Sequence, residues 1–292
     1  MGCGESIDSV RQPDFSSKIE ERAISRIKGV FKKEEFQEAR NSMQMSEGLT
    51  LIRSIARDLT KKPPITTIPA TLDKACFIIC NTYTVPKYAL GVGPMNDAIT
   101  VAKCHKDCGY QVFFLNNTSD KEFLSYLPLI VKRTKKELTI YYTGYATNIK
   151  TNDQDEINAE SMIFDNGSVS DNKFFNCIAE NSNGKARILL IADCCHAGIL
   201  WDMQLAQKNS ISLPQNILSL YSTKISETAK KTAIGKKSHG IFTYFLSKIL
   251  KENKQATVDQ ISTEINPQLK IYNEVLMHNE TTPSLIDRPL FS

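Results

Sequence analysis

Short apolar runs alternate along this chain with longer stretches in which apolar residues recur every three or four positions. Ala75-Cys76-Phe77-Ile78-Ile79-Cys80 is apolar without interruption, the pattern of a strand buried on both faces. Comparable runs cover 111–115, 138–142, 187–192 and 216–222. Between and after them, helical spacing covers 95–108, 119–134 (with Pro128 inside), 241–251 and 257–271. Strands that alternate with helices predict an α/β fold: a mostly parallel sheet with helices on both faces.

Residues 1–70 read differently. Ile19, Ala23, Ile24, Ile27, Val30 and Phe31 recur at helical spacing, and Leu49, Ile52, Ile55, Ala56 and Leu59 mark a second helix over 46–59. Lys61-Lys62-Pro63-Pro64, and then Pro69, end it. The expected organisation is a helical N-terminal arm and linker over 1–70, whose apolar faces pack on their own domain, followed by the α/β domain over 71–292. There are no repeats.

Composition narrows the function classes. With 41% hydrophobic and 23% charged residues the chain reads as globular. A net charge of +4 over 292 residues is too small to argue for nucleic acid. No stretch of eighteen apolar residues exists to span a bilayer. The first twenty residues lack the apolar core of a secretory signal, so a cytoplasmic setting and reduced thiols are expected for the eight cysteines. Cys76/Cys80 and Cys104/Cys108 are spaced i, i+4 without partners at zinc spacing. The start, Met1-Gly2-Cys3-Gly4-Glu5-Ser6, fits N-myristoylation at Gly2, with Cys3 as a palmitoylation site. Residues 18–33 add six basic residues against two acidic ones. One acyl chain anchors marginally and a second signal makes anchoring stable. The expected location is peripheral, on the cytosolic face of a membrane.

The most informative stretch is Ile191-Ala192-Asp193-Cys194-Cys195-His196-Ala197-Gly198, which puts a thiol at the end of an apolar strand. It resembles the nucleophile strand of metacaspases and related caspase-like cysteine peptidases, usually Asp-Ser-Cys-His-Ser-Gly. The resemblance covers about 72–291. Leu90-Gly91 with Asn96-Asp97-Ala98, Gly109-Tyr110-Gln111-Val112, His239-Gly240-Ile241-Phe242-Thr243 and Thr282-Pro283 are similar to the family's segments and keep their order. The family's basic histidine sits in a segment like Tyr-Ser-Gly-His-Gly. Here that segment is Tyr142-Thr143-Gly144-Tyr145-Ala146, and Tyr145 precedes Cys195 by 50 residues, the spacing of the caspase histidine.

The resemblance implies that Cys195 is the nucleophile and that Tyr145 stands where the base should be. A thiol needs activation, and a phenol, which titrates near pH 10, is a poor base. His196 does not serve as base in the family, His239 is expected to make a structural hydrogen bond, and His105 and His278 read as surface residues. By family position Asp97 and Asp193 would recognise an Arg or Lys side chain, and Asp155, Asp171, Asn172 and Asp202 would hold Ca2+. No other cofactor is required. Three readings follow. The first is a pseudopeptidase at a membrane that binds peptides or regulates an active caspase-like relative. The second is an active cysteine endopeptidase cleaving after Arg or Lys. The third is an acylated scaffold that works through its arm.

Overall fold

The structure, a computed structural model, describes residues 42–149, 159–194, 200–222, 231–234 and 237–291. Helix α1 (Ser42–Ile55) leads through β1 (Arg57–Asp58) and the single turn α2 (Pro64–Thr67) into the first long strand. There follow β2 (Leu72–Cys80), α3 (Gly93–Asp107), β3 (Gln111–Asn116), α4 (Asp120–Arg133) and β4 (Thr134–Gly144). Strands β5 (Ala146–Ile149), β6 (Ala159–Ile163) and β7 (Ser168–Ser170) form a small antiparallel sheet ahead of α5 (Asp171–Asn181). Next come β8 (Arg187–Cys194), α6 (Met203–Lys208), β9 (Ile217–Tyr221) and the hairpin of β10 (Lys231–Ile234) with β11 (Lys237–Gly240). Helices α7 (Ile241–Glu252) and α8 (Val258–Lys270) precede β12 (Met277–Glu280).

Seven strands form one sheet in the order β1-β3-β2-β4-β8-β9-β12. All neighbours are parallel except β12, which pairs antiparallel with β9. This is the mostly parallel, doubly covered α/β sheet that the alternation predicts. Successive side chains on a strand face opposite ways, so each long strand feeds two cores. Ala75, Phe77 and Ile79 of β2 join Phe123, Leu127, Phe174 and Trp201 on one face. Cys76, Ile78 and Cys80 join Met95, Ala98, Phe242 and Ile261 on the other.

Caps define the helix starts. The Ser119 hydroxyl accepts the Glu122 amide at the head of α4. Thr257 and Gln260 form a reciprocal capping box on α8, closing two of the amides that every helix start leaves open. The described part of the arm is built into the domain. Ile52 and Ala56 lie in the second core and Leu59 and Ile68 in the first, while β1 extends the sheet edge. A Cβ on Gly48 would come within 2.7 Å of Met95 Cγ, so the glycine lets α1 lie close against α3.

One reading is corrected here: His105 is not a surface residue. It is 2% exposed, with its ring edge-on to Tyr110 and Phe291. Its Nδ1–H donates to the Val101 carbonyl at 2.9 Å. Burial pushes the imidazole down from 6.5 to about 4, against a smaller opposing effect of that hydrogen bond. The unfolded chain therefore binds the proton more tightly than the folded one. The stability from a neutral His105 is fully present above pH 6.5 and is lost as pH falls towards 4. The loss by pH 5 should be about 2 kcal/mol. Urea unfolding of wild type and His105→Phe at pH 7 and pH 5 checks this. The variant should show a smaller drop between the two, and equal drops would refute the assignment.

Candidate active site

The sheet register sets the site. Gly144 of β4 lies opposite Cys194 of β8, and Thr143 lies opposite Asp193. Tyr145 thus leaves one strand beside the point where the neighbouring strand reaches Cys194. Cys195 and His196 lie outside the described residues, as do Gly2, Cys3 and Asp155. Cys194 is buried in the first core, facing away from Asp193. Cys76, Cys80, Cys104, Cys108, Cys177 and Cys194 form no disulfide.

Tyr145 is 3% exposed and bonded at every polar atom. Its hydroxyl donates to the Tyr88 carbonyl at 3.1 Å. Its amide donates to Tyr83 Oη at 2.6 Å. Its carbonyl lies 2.5 Å from Tyr142 Oη. Its ring stacks on Tyr83, with centroids 4.8 Å apart. Tyr83 pays a backbone cost to be there, with φ at +62°. Asn117 Oδ1 offsets it by accepting the Tyr83 amide at 2.8 Å, and Tyr83 Oη donates to the Ile163 carbonyl at 3.0 Å. Burial pushes the Tyr83 and Tyr142 phenols well up, so both stay protonated. Gly144 leaves no room for a side chain: its Cβ would lie 2.8 Å from Tyr83 Oη. Tyr83 and Tyr142 were given no role in the sequence, although the cluster Tyr141-Tyr142 with Tyr145 is a visible signal.

Asp97 and Asp193 do come together. Asp97, at 0% exposure, accepts His239 Nδ1–H at Oδ1 (3.1 Å) and the Gly240 amide at Oδ2 (2.8 Å). Asp193, at 3%, accepts the Thr243 amide at 3.0 Å. A Cβ on Gly240 would fall 2.0 Å from Asp193 Oδ2. Both carboxylates therefore meet the start of α7, whose open amides and positive dipole end stabilise an anion. Beneath them Tyr141 Oη is 2.8 Å from Thr243 Oγ1. Its phenol is pushed well up by burial first and then by Asp97 and Asp193. His239 makes the structural bond expected of it.

The caspase-domain family profile matches residues 73–289. The chain belongs to that family. A solved structure, protein GSU0716 from Geobacter sulfurreducens, is similar at a TM-score of 0.60 and 14% identity, over 75% of this chain and 98% of that one; the likeness bears on the fold. No curated protein sequence matches.

Of the calcium candidates in this caspase-domain protein, Asp171, Asn172 and Asp202 lie among the described residues. Asp171 Oδ1 accepts the Asn172 amide, and Asn172 Oδ1 accepts Asn209 Nδ2. Asp202 Oδ1 caps α6 through the Gln204 and Leu205 amides. Among the described residues no group of three or more His, Cys, Asp or Glu could hold a metal ion. A carboxyl that the sequence reading passed over lies near Asp171: Glu160 is 6% exposed, and burial, then Asp171, pushes it up to about 8.

The packing around Gly240 yields a direct test. Gly240→Ala keeps an ordinary φ of −65°, so any loss comes from contact with Asp193. Overpacking of this kind costs about 1–3 kcal/mol. The denaturation midpoint of the variant should fall accordingly, and an unchanged midpoint would mean that the carboxylate moves aside freely.

Proposed function

We propose that this caspase-domain protein is a catalytically impaired relative of the metacaspases, held at a membrane by acylation of Gly2 and Cys3, that binds peptides or regulates an active relative. The observation that carries the reading is the commitment of Tyr145. A base for Cys195 must accept a proton, yet the Tyr145 hydroxyl spends its own proton on the Tyr88 carbonyl. To serve as base it would have to be a phenolate and lose that bond.

Without a base the Cys195 thiol is only a few per cent ionised near pH 7. The phenol in the histidine position cannot first take the Cys195 proton and then pass it to a leaving amine, as an imidazole does. Where the histidine of a Ser-His-Asp triad was removed, the loss was on the order of a million-fold. The strand end and the two acids are kept, which supports recognition of a basic side chain without turnover.

The test is kcat/KM on peptides ending in Arg or Lys. Wild type should show little turnover. Tyr145→His should recover only part of the family's activity. The new imidazole would lack the Tyr88 and Tyr83 contacts that hold residue 145, and Ala146 is buried where the family has a second glycine. Any recovered activity should vanish in Tyr145→His/Cys195→Ala. Robust wild-type turnover that disappears with Cys195→Ala would overturn the proposal in favour of the active endopeptidase.

Membrane attachment is tested separately. Among the described residues no helix is long and apolar enough to cross a bilayer; the attachment proposed is through the acyl chains. Wild type should fractionate with membranes and Gly2→Ala should move to the soluble fraction. Identical distributions would remove the membrane from the reading.

A further inference from the structure

Asp97 and Asp193 pose a problem as a recognition site. Asp97 is fully enclosed and Asp193 is 3% exposed. A guanidinium or ammonium entering from solvent cannot reach Asp97 without displacing something. The Gly240 amide and the His239 imidazole both bond to Asp97. The Gly240 amide on Oδ2 belongs to the main chain where β11 passes into α7, so it can leave only if the backbone there shifts. The His239 imidazole on Oδ1 is a side chain. Its side chain is 12% exposed against 0% for Asp97, so it is the outer member of the pair. Its ring packs loosely against Tyr244, tilted, with centroids 5.8 Å apart. His239, a side chain, can swing away from Asp97 by rotation about its own bonds.

What it covers is an acid pair. Gly240 abuts the Asp193 carboxylate while its amide binds Asp97, so the two carboxylates flank a single glycine. Tyr141 senses both acids from below. A cation that replaced His239 on Asp97 would find the second carboxylate close by, the arrangement that suits a bidentate guanidinium. Gly240 carries no Cβ to fill the space beside Asp193.

We propose that His239 is the built-in occupant of this subsite, an imidazole that fills on Asp97 the place of a basic substrate side chain and so limits how tightly the protein binds one. The proposal rests on the reading of Asp97 and Asp193 as a subsite for Arg or Lys. It concerns binding alone and holds whether or not Cys195 turns over. His239 competes for the carboxylate: each closed molecule keeps its own donor in place, and an Arg side chain must exchange one charge-assisted hydrogen bond for another. Removing the competitor should raise affinity, and keeping a donor in its place should not.

The experiment uses the full chain and a fluorescein-labelled peptide ending in Arg, with a citrulline-ended peptide as the neutral match. Binding is read by fluorescence anisotropy for wild type, His239→Ala, His239→Gln and Asp97→Asn. Loss of one competing charge-assisted bond should tighten Arg-peptide binding by about tenfold in His239→Ala. The citrulline peptide should not follow. His239→Gln keeps an amide donor for Asp97 Oδ1 and should stay near wild type. Asp97→Asn should weaken binding of the Arg peptide. Equal or weaker binding of the Arg peptide by His239→Ala than by wild type would overturn the role of His239 and leave the subsite standing. Equal binding of Arg and citrulline peptides by every form, or no binding by any, would remove the subsite itself and the proposal with it. If Asp97→Asn fails to fold, the contrast between His239→Ala and His239→Gln still decides.

Discussion

The contact between two buried carboxylates and the start of α7 holds the functional end of this molecule in place. Burying an ionised carboxylate without partners costs several kcal/mol or more. A helix start is among the few places that repay it, because its first amides have no partner inside the helix and its dipole end is positive. Asp97 comes from the head of α3 and Asp193 from the end of β8, and both are met within the four residues from Gly240 to Thr243. One set of hydrogen bonds thus ties α3, β8 and α7 together where the parallel strands end. The β4 strand joins through Tyr141 and Thr243. Chemistry in open parallel sheets gathers at strand ends because loops there leave room for it; here the room is bounded by this clamp.

On the far side of β4 a second set of contacts works in the opposite sense. Tyr83 and Tyr142 use their phenol hydroxyls to close main-chain groups of β6 and of the turn after β4. A histidine base must keep one ring nitrogen open to its nucleophile. Tyr145 does the reverse, turning its polar atom to the Tyr88 carbonyl and its ring to Tyr83. The arrangement is what a stable core asks of a tyrosine, and it holds a segment that a catalytic residue would need to share with substrate. The strained φ of Tyr83 belongs to this network.

Much of this fold could be read before any coordinates because its central strands are buried on both sides. The run 75–80 has no polar residue to disguise it, and 187–192 ends at the motif that names the family. Helices α4 and α8 declare themselves through Ser119 and Thr257. The reading thinned where pairing makes the structure. Strand β12 is Met277-His278-Asn279-Glu280, which has no apolar alternation and is a strand only because β9 offers it an edge. Strand β1 is two residues long. Helix α5 did carry a signal, with Ser170 as cap and Phe174 and Ile178 four apart, and it was passed over. His105 looked like a surface position because the residue that covers it, Phe291, is nearly two hundred positions away. At the site, family position pointed to Asp97, Asp193 and Tyr145; Asp193 lies near the end of β8, Tyr145 follows the end of β4, and Asp97 lies on α3. No pattern in the chain could say that both acids are met by one helix, or that the phenol is bonded to Tyr88.

The two halves of the site consequently differ in what the fold itself demands. Asp97 and Asp193 stabilise the start of α7 whether or not a substrate ever arrives, so the fold has its own use for them beside recognition. The informative atoms are those the clamp does not need. Gly240 and Thr243 already supply main-chain amides to the pair, and a helix start requires no imidazole beside it. His239 is the added element: a side chain laid over a carboxylate that the backbone already satisfies in part. A group in that position either orients the acid or screens it. The exposures decide between the two. An orienting residue would leave a face of the carboxylate open to what it is meant to bind, whereas Asp97 beneath His239 has none.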